Sequence, residues 1–473
     1  MKPILALSLL LHPLIAEAIP ADEDFAWVIG GGPDVFKSQV QIERNVLWVL
    51  QAMEGLPGER NVRVFFTDGD EPTPDIHEWA APPEAAAALQ PLARVFNSYW
   101  RNGLRFRNHR IPAVVGTTAA DRLTDALGAD FRALHPGDRG WLLFIGHGTY
   151  HEDLDNRLEL WNDTELGVGE LQALLDEAPQ QSRLRFLFTQ CYSGAFAELA
   201  TPGSNRCGFM AAAADEVSEG CSPAIEKRDY EDYSTYFFAA LTGRPRDGAG
   251  LDGRPDWNTD GRVTPLEAHF HVLATAFSAD IPRATSEVLL MQWQPGNLTD
   301  LLAHVDESEN EYTGLALQMM RSSGIDPGRS AGEEMYRRQS RLQEQWERLE
   351  QSQERLREEI VSLQQGLQQQ VLGRWPAAGA PYTLDYTRFL AEDLGHAQAF
   401  IEAHSDYPQL RQRQELHWQQ DDLALQIRRA KNQLRKIGHL LRLGRLKAAL
   451  ERDGPEDLVE RYRALRECES APF

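Results

Sequence analysis

Short apolar runs alternate with amphipathic segments from residue 24 to about residue 290, and this alternation restricts the chain to an α/β fold. Five runs have the length and composition of buried strands; in chain order they are FAWVIGGG, NVRVFFTDGD, RGWLLFIGHGTY, RLRFLFTQCYSG and CGFMAAAADE. Segments with helical spacing lie between them, such as QVQIERNVLWVLQAM and GVGELQALLDEA. Strands joined through helices make right-handed crossovers, so we expect a mostly parallel sheet with helices on both faces.

The rest of the chain, residues 295–473, is predicted to be helical. Two stretches, residues 340–372 and 410–451, place apolar residues every three or four positions among Gln, Glu and Arg. This spacing is typical of long helices or of a coiled coil. The Gly and Pro residues of GRWPAAGAPY separate the two stretches. We therefore predict a C-terminal α-helical coiled-coil arm folded as a hairpin, which binds a protein partner or self-associates, or, as a second choice, covers a functional site.

The first 18 residues have the features of a secretory signal peptide. Lys2 precedes an apolar stretch from Ile4 to Ile15, and Ala16-Glu17-Ala18 supplies an A-x-A cleavage site. No later segment reaches the roughly 18 consecutive apolar residues that a membrane-spanning helix requires. We expect an exported protein, periplasmic or extracellular, with no membrane span and with its first folded domain in residues 19–294.

The charge of the chain is strongly acidic. The formal net charge is −23, because 71 Asp and Glu residues outnumber 48 Lys and Arg residues. Nucleic acid binding requires clustered Lys and Arg side chains. We therefore expect no nucleic acid partner and interpret the charge as an acidic, solvated surface.

Two neighbouring strand ends carry the residues of a base and a nucleophile. The third predicted strand stops at His147, between Gly146 and Gly148, and the fourth stops at Cys191. Ligands bind beyond the carboxyl ends of parallel strands, so we expect the imidazole and the thiol to meet there. A histidine base beside a cysteine is the arrangement that nucleophilic catalysis requires. The backbone N–H groups of Gly148 and Cys191 are the predicted donors to an oxyanion.

These motifs resemble the legumain and caspase group of cysteine peptidases, with the bacterial legumain-like type as the nearest match. His-Gly follows one apolar block and Gln-Cys-x-Ser-Gly follows the next, and the similarity extends to AWVIGGGPDVFKSQVQIERNV and VFFTDGD, so it covers residues 24 to about 290. The resemblance implies a caspase-like three-layer α/β/α sandwich. It also implies an exported cysteine endopeptidase that cleaves protein or peptide substrates with His147 and Cys191 as its catalytic pair.

The resemblance does not extend to the specificity pocket. Legumains have an Arg-His pair after the first strand that helps to select Asn, whereas this chain has Ser38 and Gln39 there. Asparaginyl specificity is therefore not expected. The predicted substrate-binding residues follow the fifth strand and are Asp215, Glu216, Ser218 and Glu219. Their carboxylates favour Lys or Arg before the scissile bond (P1), although solvated loop carboxylates are an equally good interpretation.

The chain has only four cysteines, which is too few for a disulfide scaffold. One disulfide remains possible. If Cys191 stays a thiol, Cys207 and Cys221 are the pair closest in sequence, with Cys468 as the remaining residue. The sequence does not decide the pairing.

The segment DWNTDGRVTPLE, residues 256–267, matches the pattern of a calcium-binding loop. Gly261 stands at the position of the sharp turn. The predicted ligands at positions 1, 3, 5, 7, 9 and 12 are Asp256, Asn258, Asp260, the backbone carbonyl of Arg262, Thr264 and Glu267. An acidic surface turn before a helix is the alternative interpretation. We expect one structural Ca²⁺ and no organic cofactor.

Three other functions are weaker alternatives. His147 and His151 are spaced four apart, but they follow a strand, so a zinc site is not favoured. Gly30-Gly31-Gly32 lacks the spacing of a dinucleotide-binding loop. A non-enzymatic scaffold, in which a degenerate peptidase domain presents the helical arm to a partner, is the main alternative to a peptidase.

Overall fold

A computed structural model describes residues 23–79, 89–96, 104–152, 155–221, 232–246, 248, 250–251, 255–293, 310–328, 330–380 and 383–473. The predicted signal peptide, residues 1–18, lies outside these ranges. None of the helices within them is long and apolar enough to cross a lipid bilayer.

The described part of the chain contains a mostly parallel sheet. The strands in chain order are β1 (Asp24–Gly31), β2 (Asn61–Phe66), β3 (Ile76–Trp79), β4 (Leu104–Arg107), β5 (Val114–Gly116), β6 (Arg139–Thr149), β7 (Arg157–Leu160), β8 (Thr164–Gly167), β9 (Arg183–Phe188), β10 (Arg206–Met210) and β11 (Arg283–Ala284). The main sheet has the order β11-β10-β9-β6-β1-β2-β5, and only β11 joins this path antiparallel. The five strands predicted from the sequence are its central strands, β10, β9, β6, β1 and β2. The α/β prediction is therefore confirmed.

Helices cover both faces of this sheet because its strands are apolar on both sides. In β1, Ala26 and Val28 join one buried cluster, while Trp27 and Ile29 join a second cluster on the opposite face. The helices that connect or follow these strands are α1 (Val40–Glu54), α2 (Gln90–Phe96), α3 (Ala120–Ala133), α4 (Val168–Leu175), α5 (Tyr233–Thr242), α6 (Pro265–Thr275) and α7 (Thr285–Gln292). Helices α1, α5 and α6 pack in the first cluster, and α3 and α4 pack in the second.

The C-terminal helices include the predicted hairpin. They are α8 (Glu311–Ser322), α9 (Ala331–Arg374), α10 (Leu384–Glu392), α11 (Leu394–Ala403), α12 (Tyr407–Asp453) and α13 (Glu456–Ser470). Helices α9 and α12 lie antiparallel, because contacts such as Gln343 with Lys431 and Glu359 with Arg413 pair ascending with descending residue numbers. The tip of the hairpin packs around α2 in a cluster of its own, which includes Leu92, Leu367 and Leu410 among its members.

The base of the hairpin is not a separate body, because it shares the main core. Leu440, Leu443 and Leu465 belong to the same buried cluster as Ala26 and Val28, on one face of the sheet. Cys468 of α13 forms a disulfide with Cys207 of β10, across 261 positions of sequence. The pair closest in sequence, Cys207 with Cys221, is therefore not the one that forms, and Cys221 is a free thiol. Nearness in sequence was the wrong guide, because the buried face of α13 brings Cys468 to the sheet.

Candidate active site

Cys191 lies in a tight turn directly beyond β9. The strand ends at Phe188, and a 3-10 helix begins at Ser193. Tyr192 has a left-handed backbone, with φ 61°, which is an uncommon conformation for a residue other than glycine. The Ser193 hydroxyl accepts a hydrogen bond from the backbone N–H of Ala212 at 3.1 Å. These features hold the turn, and with it the partly buried Cys191 side chain, at the carboxyl edge of the sheet.

His147 is positioned by the last part of β6, which continues past the parallel sheet and pairs with β7. The residue opposite it is Glu159. Its ring Nε2 lies 2.8 Å from the carbonyl oxygen of Lys37 and 2.9 Å from Oε1 of Gln39. Both atoms are acceptors, so Nε2 carries the proton and donates. In a neutral ring Nδ1 is then the unprotonated nitrogen, which is the state of a general base.

The two strand ends come together at Gly148. Strands β6 and β9 run parallel with Phe144 opposite Phe188, three residues before His147 and Cys191 respectively. A Cβ atom added to Gly148 would lie 2.5 Å from the carbonyl oxygen of Cys191. Only glycine fits such a close approach of two backbones. The segments that carry His147 and Cys191 therefore approach each other closely at Gly148.

The Cys191 thiol is held by the loop that follows β10. The backbone N–H of Ser218 donates to Sγ of Cys191 at 3.3 Å, and the Ser218 hydroxyl donates to the carbonyl oxygen of Thr189 at 2.7 Å. Burial raises the pKa of the Cys191 thiol, and the hydrogen bond from Ser218 lowers it by a smaller amount. The negative charge of Asp280 raises it further. Cys191 is thus a neutral thiol in the resting site.

His147 is neutral as well. Burial lowers the pKa of its imidazole, and the opposing effect of the Glu159 charge is smaller. A base with a lowered pKa and a thiol with a raised pKa form no thiolate–imidazolium pair at neutral pH. Any reaction of Cys191 as a thiolate therefore requires removal of its thiol proton.

Alkylation of Cys191 by iodoacetamide is expected to show that the thiol and the imidazole of His147 are both neutral at neutral pH. The thiolate is the reacting form, and a raised pKa moves its formation to higher pH, so the rate should rise continuously up to and beyond about pH 9. The measurement is pH-dependent alkylation followed by peptide mapping, which separates Cys191 from Cys221. A plateau between about pH 6 and pH 8 would mean that an ion pair is preformed and would contradict this assignment.

Of the predicted substrate-binding residues, Ser218 contacts Cys191, and arginines of α12 contact two others. Glu216 forms an ion pair with Arg435, and Glu219 forms one with Arg429. The backbone carbonyl of Glu216 accepts a hydrogen bond from the N–H of Tyr192 at 2.7 Å. The predicted residues in this loop are Asp215, Glu216, Ser218 and Glu219. The loop therefore packs against the cysteine turn, and the carboxylates of Glu216 and Glu219 are paired with arginines rather than only solvated.

The predicted calcium loop turns at Gly261, so that Glu267 reaches back to the start of the loop. Gly261 has φ +86°, a conformation that favours glycine, at the position of the sharp turn. The Glu267 carboxylate accepts N–H bonds from Trp257 at 3.1 Å and from Asn258 at 3.2 Å, so position 12 reaches the start of the loop. Glu267 also caps α6 together with Thr264. Within the described ranges, no group of three or more His, Cys, Asp or Glu side chains forms a metal site.

The side chains of the loop are engaged with its own backbone. Asp256 accepts hydrogen bonds from the N–H groups of Asp260 and Gly261, and Asp260 accepts one from the N–H of Arg262 at 2.9 Å. Carboxylate oxygens that face the inside of such a turn fit the oxygen-rich ligand set of Ca²⁺. Calcium binding therefore stays a prediction.

Three residues of the site were missed from the sequence. Asn156 is buried and donates to the carbonyl oxygens of Tyr192 and Ala214, at 3.0 and 2.7 Å, so it ties the cysteine turn to the acidic loop. Gln39 orients His147, and Asp280, in the loop that follows α6, accepts a hydrogen bond from the backbone N–H of Glu219. None of them belongs to a local motif. The one available signal was the position of Gln39, just after the first strand.

Comparison with known proteins adds little to this description. No protein-family model matches the chain, and no curated protein matches it. Among solved structures, the crystal structure of protein GSU0716 from Geobacter sulfurreducens matches with 12% sequence identity and a TM-score of 0.32. The match covers 55% of this chain and 92% of that one. A similarity of this size supports no argument about function.

Proposed function

We propose that this protein is a cysteine endopeptidase with a His147–Cys191 dyad. The observation that carries the proposal is the meeting of two adjacent strand ends, one with a histidine oriented through Nε2 and the other with a free cysteine in a constrained turn. The legumain-like and caspase-like sequence motifs support the same activity and a caspase-like sandwich. Export to the periplasm or the extracellular space is part of the proposal, and the disulfide supports it because disulfides persist in oxidising compartments.

In this mechanism the substrate peptide lies across the carboxyl edge of the sheet. Sγ of Cys191 attacks the scissile carbonyl carbon while Nδ1 of His147 takes the thiol proton. The N–H groups of Gly148 and Cys191 stabilise the oxyanion. Collapse of the intermediate breaks the C–N bond, and His147 returns the proton to the leaving amine. Water then hydrolyses the thioester through the same groups and releases the carboxylate product.

A peptide-based covalent probe tests the proposed activity. An acyloxymethyl ketone with a short peptide should label Cys191 much faster than it labels Cys221, because the proposed mechanism assigns a base and an oxyanion site to Cys191 and none to Cys221. Mass spectrometry of the labelled peptide gives the site and the rate. Equal labelling of both thiols, at the rate of a simple thiol, would contradict the proposal.

A non-enzymatic scaffold is the second candidate function, and the raised pKa of the Cys191 thiol favours it. A scaffold needs no activated nucleophile. The helical hairpin, as a coiled coil, would then bind a protein partner or a second copy of the chain. Exposed apolar side chains on α12, such as Leu423 at 50% exposure, are consistent with such a role. The covalent probe separates the two candidates, since a scaffold would show only background labelling.

Calcium binding at residues 256–267 is expected to stabilise the protein. Ca²⁺ bound only to the folded state raises the melting temperature by mass action, so a chelator should lower it by a few degrees. Asp260→Ala should abolish the response to both calcium and chelator, whereas Asp453→Ala, at an exposed position of α12, should leave it intact. A melting temperature indifferent to calcium, with no binding heat in calorimetry, would show that the loop is a structural turn.

A further inference from the structure

The loop beside Cys191 contains an acidic site that holds a guanidinium group. Glu219 follows Ser218, whose backbone N–H lies 3.3 Å from Sγ of Cys191. The Glu219 carboxylate accepts hydrogen bonds from Nε of Arg429, at 3.0 Å, and from its Nη2. The Arg429 side chain is only 5% exposed, so the contact is a bidentate ion pair shielded from water.

A second carboxyl group in this site has an unused oxygen. Oδ1 of Asp280 accepts a hydrogen bond from the backbone N–H of Glu219 at 2.7 Å. Oδ2 has no hydrogen-bond partner among the described residues, although the side chain is fully buried. A buried acceptor without a donor is costly, so its presence points to a donor that arrives from elsewhere. Burial and the neighbouring Glu219 charge raise the pKa of Asp280 well above its ordinary value, and the ammonium group of Lys436 lowers it by a smaller amount.

We propose that Glu219 and Asp280 form the subsite for an arginine side chain at P1 of the substrate, and that Arg429 occupies this subsite in the resting chain. The inference rests on the proposed peptidase function. A guanidinium group offers five N–H donors in a planar fork, of which Glu219 takes two and Oδ2 of Asp280 can take another. The compact ammonium of lysine cannot match this arrangement, so arginine is preferred to lysine.

Helix α12 holds Arg429 in place through the turn of helix that follows it. Asn432 donates to the carbonyl oxygen of Ala279, and Lys436 donates to that of Ala276 at 2.8 Å. The same loop, residues 276–280, carries Asp280. These contacts therefore fix the backbone of α12, and with it Arg429, opposite Glu219 and Asp280. A substrate arginine can enter only when Arg429 is removed or displaced.

Binding of N-acetyl-argininamide to full-length variants tests the subsite without any need for catalysis. Arg429→Ala should bind this compound at least about tenfold more tightly than the wild type, because one charge-assisted hydrogen bond is worth about that factor. Adding Glu219→Gln should remove the gain, and N-acetyl-glutaminamide should not bind. Arg435→Ala is the matched control, since its ion pair with Glu216 is half exposed and lies outside the subsite. Equal binding by the wild type, Arg429→Ala and Arg435→Ala would overturn the subsite.

The preference of Cys191 for P1-Arg over P1-Ala probes tests the arginine subsite even if Arg429→Ala does not fold. Asp280→Asn keeps Arg429 and the shape of the side chain. It should lower the ratio of labelling rates for P1-Arg over P1-Ala acyloxymethyl ketones by about tenfold. This ratio does not depend on the folded fraction. An unchanged ratio, with Cys191 still labelled, overturns the subsite alone, whereas labelling of Cys191 at background rate in every variant overturns the peptidase function and the substrate role together.

Discussion

Replacing Cys191 with alanine is expected to reduce kcat/KM for a cleaved peptide by at least about 10⁴-fold, because Cys191 forms the covalent intermediate in the proposed mechanism. His147→Ala should cause a loss of similar size, since the resting thiol is neutral and requires a base. The double variant should be no worse than either single variant, because groups that act as a unit are not additive. Peptide hydrolysis by purified proteins measures all three.

The control for these variants is a histidine of the hairpin. His396→Ala removes an 81% exposed side chain and should leave kcat/KM unchanged. Melting temperatures verify that each variant is folded. Near wild-type hydrolysis by folded Cys191→Ala protein would refute the peptidase mechanism, and a loss confined to Cys191→Ala would remove His147 from it.

The central sheet was predictable because each of its strands is a short apolar run. Sequence patterning located β1, β2, β6, β9 and β10, and their shared direction followed from the helices between them. The structure ends β9 at Phe188 and β10 at Met210, earlier than the predicted segments. The polar and small residues beyond those points form turns instead, and these turns carry the site. The short hairpins β3–β4 and β7–β8 have too few apolar residues to be recognised.

The site was predictable only where it depends on strand ends. His147 and Cys191 follow directly from two apolar runs that stop abruptly. Arg429 and Asp280 contact Glu219 although they lie 210 and 61 residues away from it in the sequence. No local sequence pattern therefore predicts either contact. The acidic residues therefore looked like free carboxylates from the sequence, whereas helix packing supplies their cationic partners. The same long-range packing, rather than spacing, selected Cys468 as the partner of Cys207.

The Cys207–Cys468 disulfide is expected to contribute about 4 kcal/mol to the free energy of unfolding, because it closes a very long loop in the unfolded chain. It joins β10 to the last helix, whose Glu469 accepts hydrogen bonds from the Ser286 N–H and hydroxyl at 2.7 and 2.6 Å. Loss of the disulfide should therefore loosen α13 from β10, while these hydrogen bonds still hold α13 to α7. Denaturant unfolding of the Cys207→Ala/Cys468→Ala double variant measures the effect.

Reduction provides the matched comparison for this prediction. A reducing agent should lower the unfolding midpoint of the wild type towards that of the double variant and should leave the double variant unchanged, because Cys191 and Cys221 are already free thiols. The double variant also removes the sulfur atoms of the buried Cys207 and the partly buried Cys468, which accounts for any further difference between it and the reduced wild type. Identical midpoints for the oxidised wild type, the reduced wild type and the double variant would mean that packing alone holds α13 against the sheet, and that the bond adds nothing to stability.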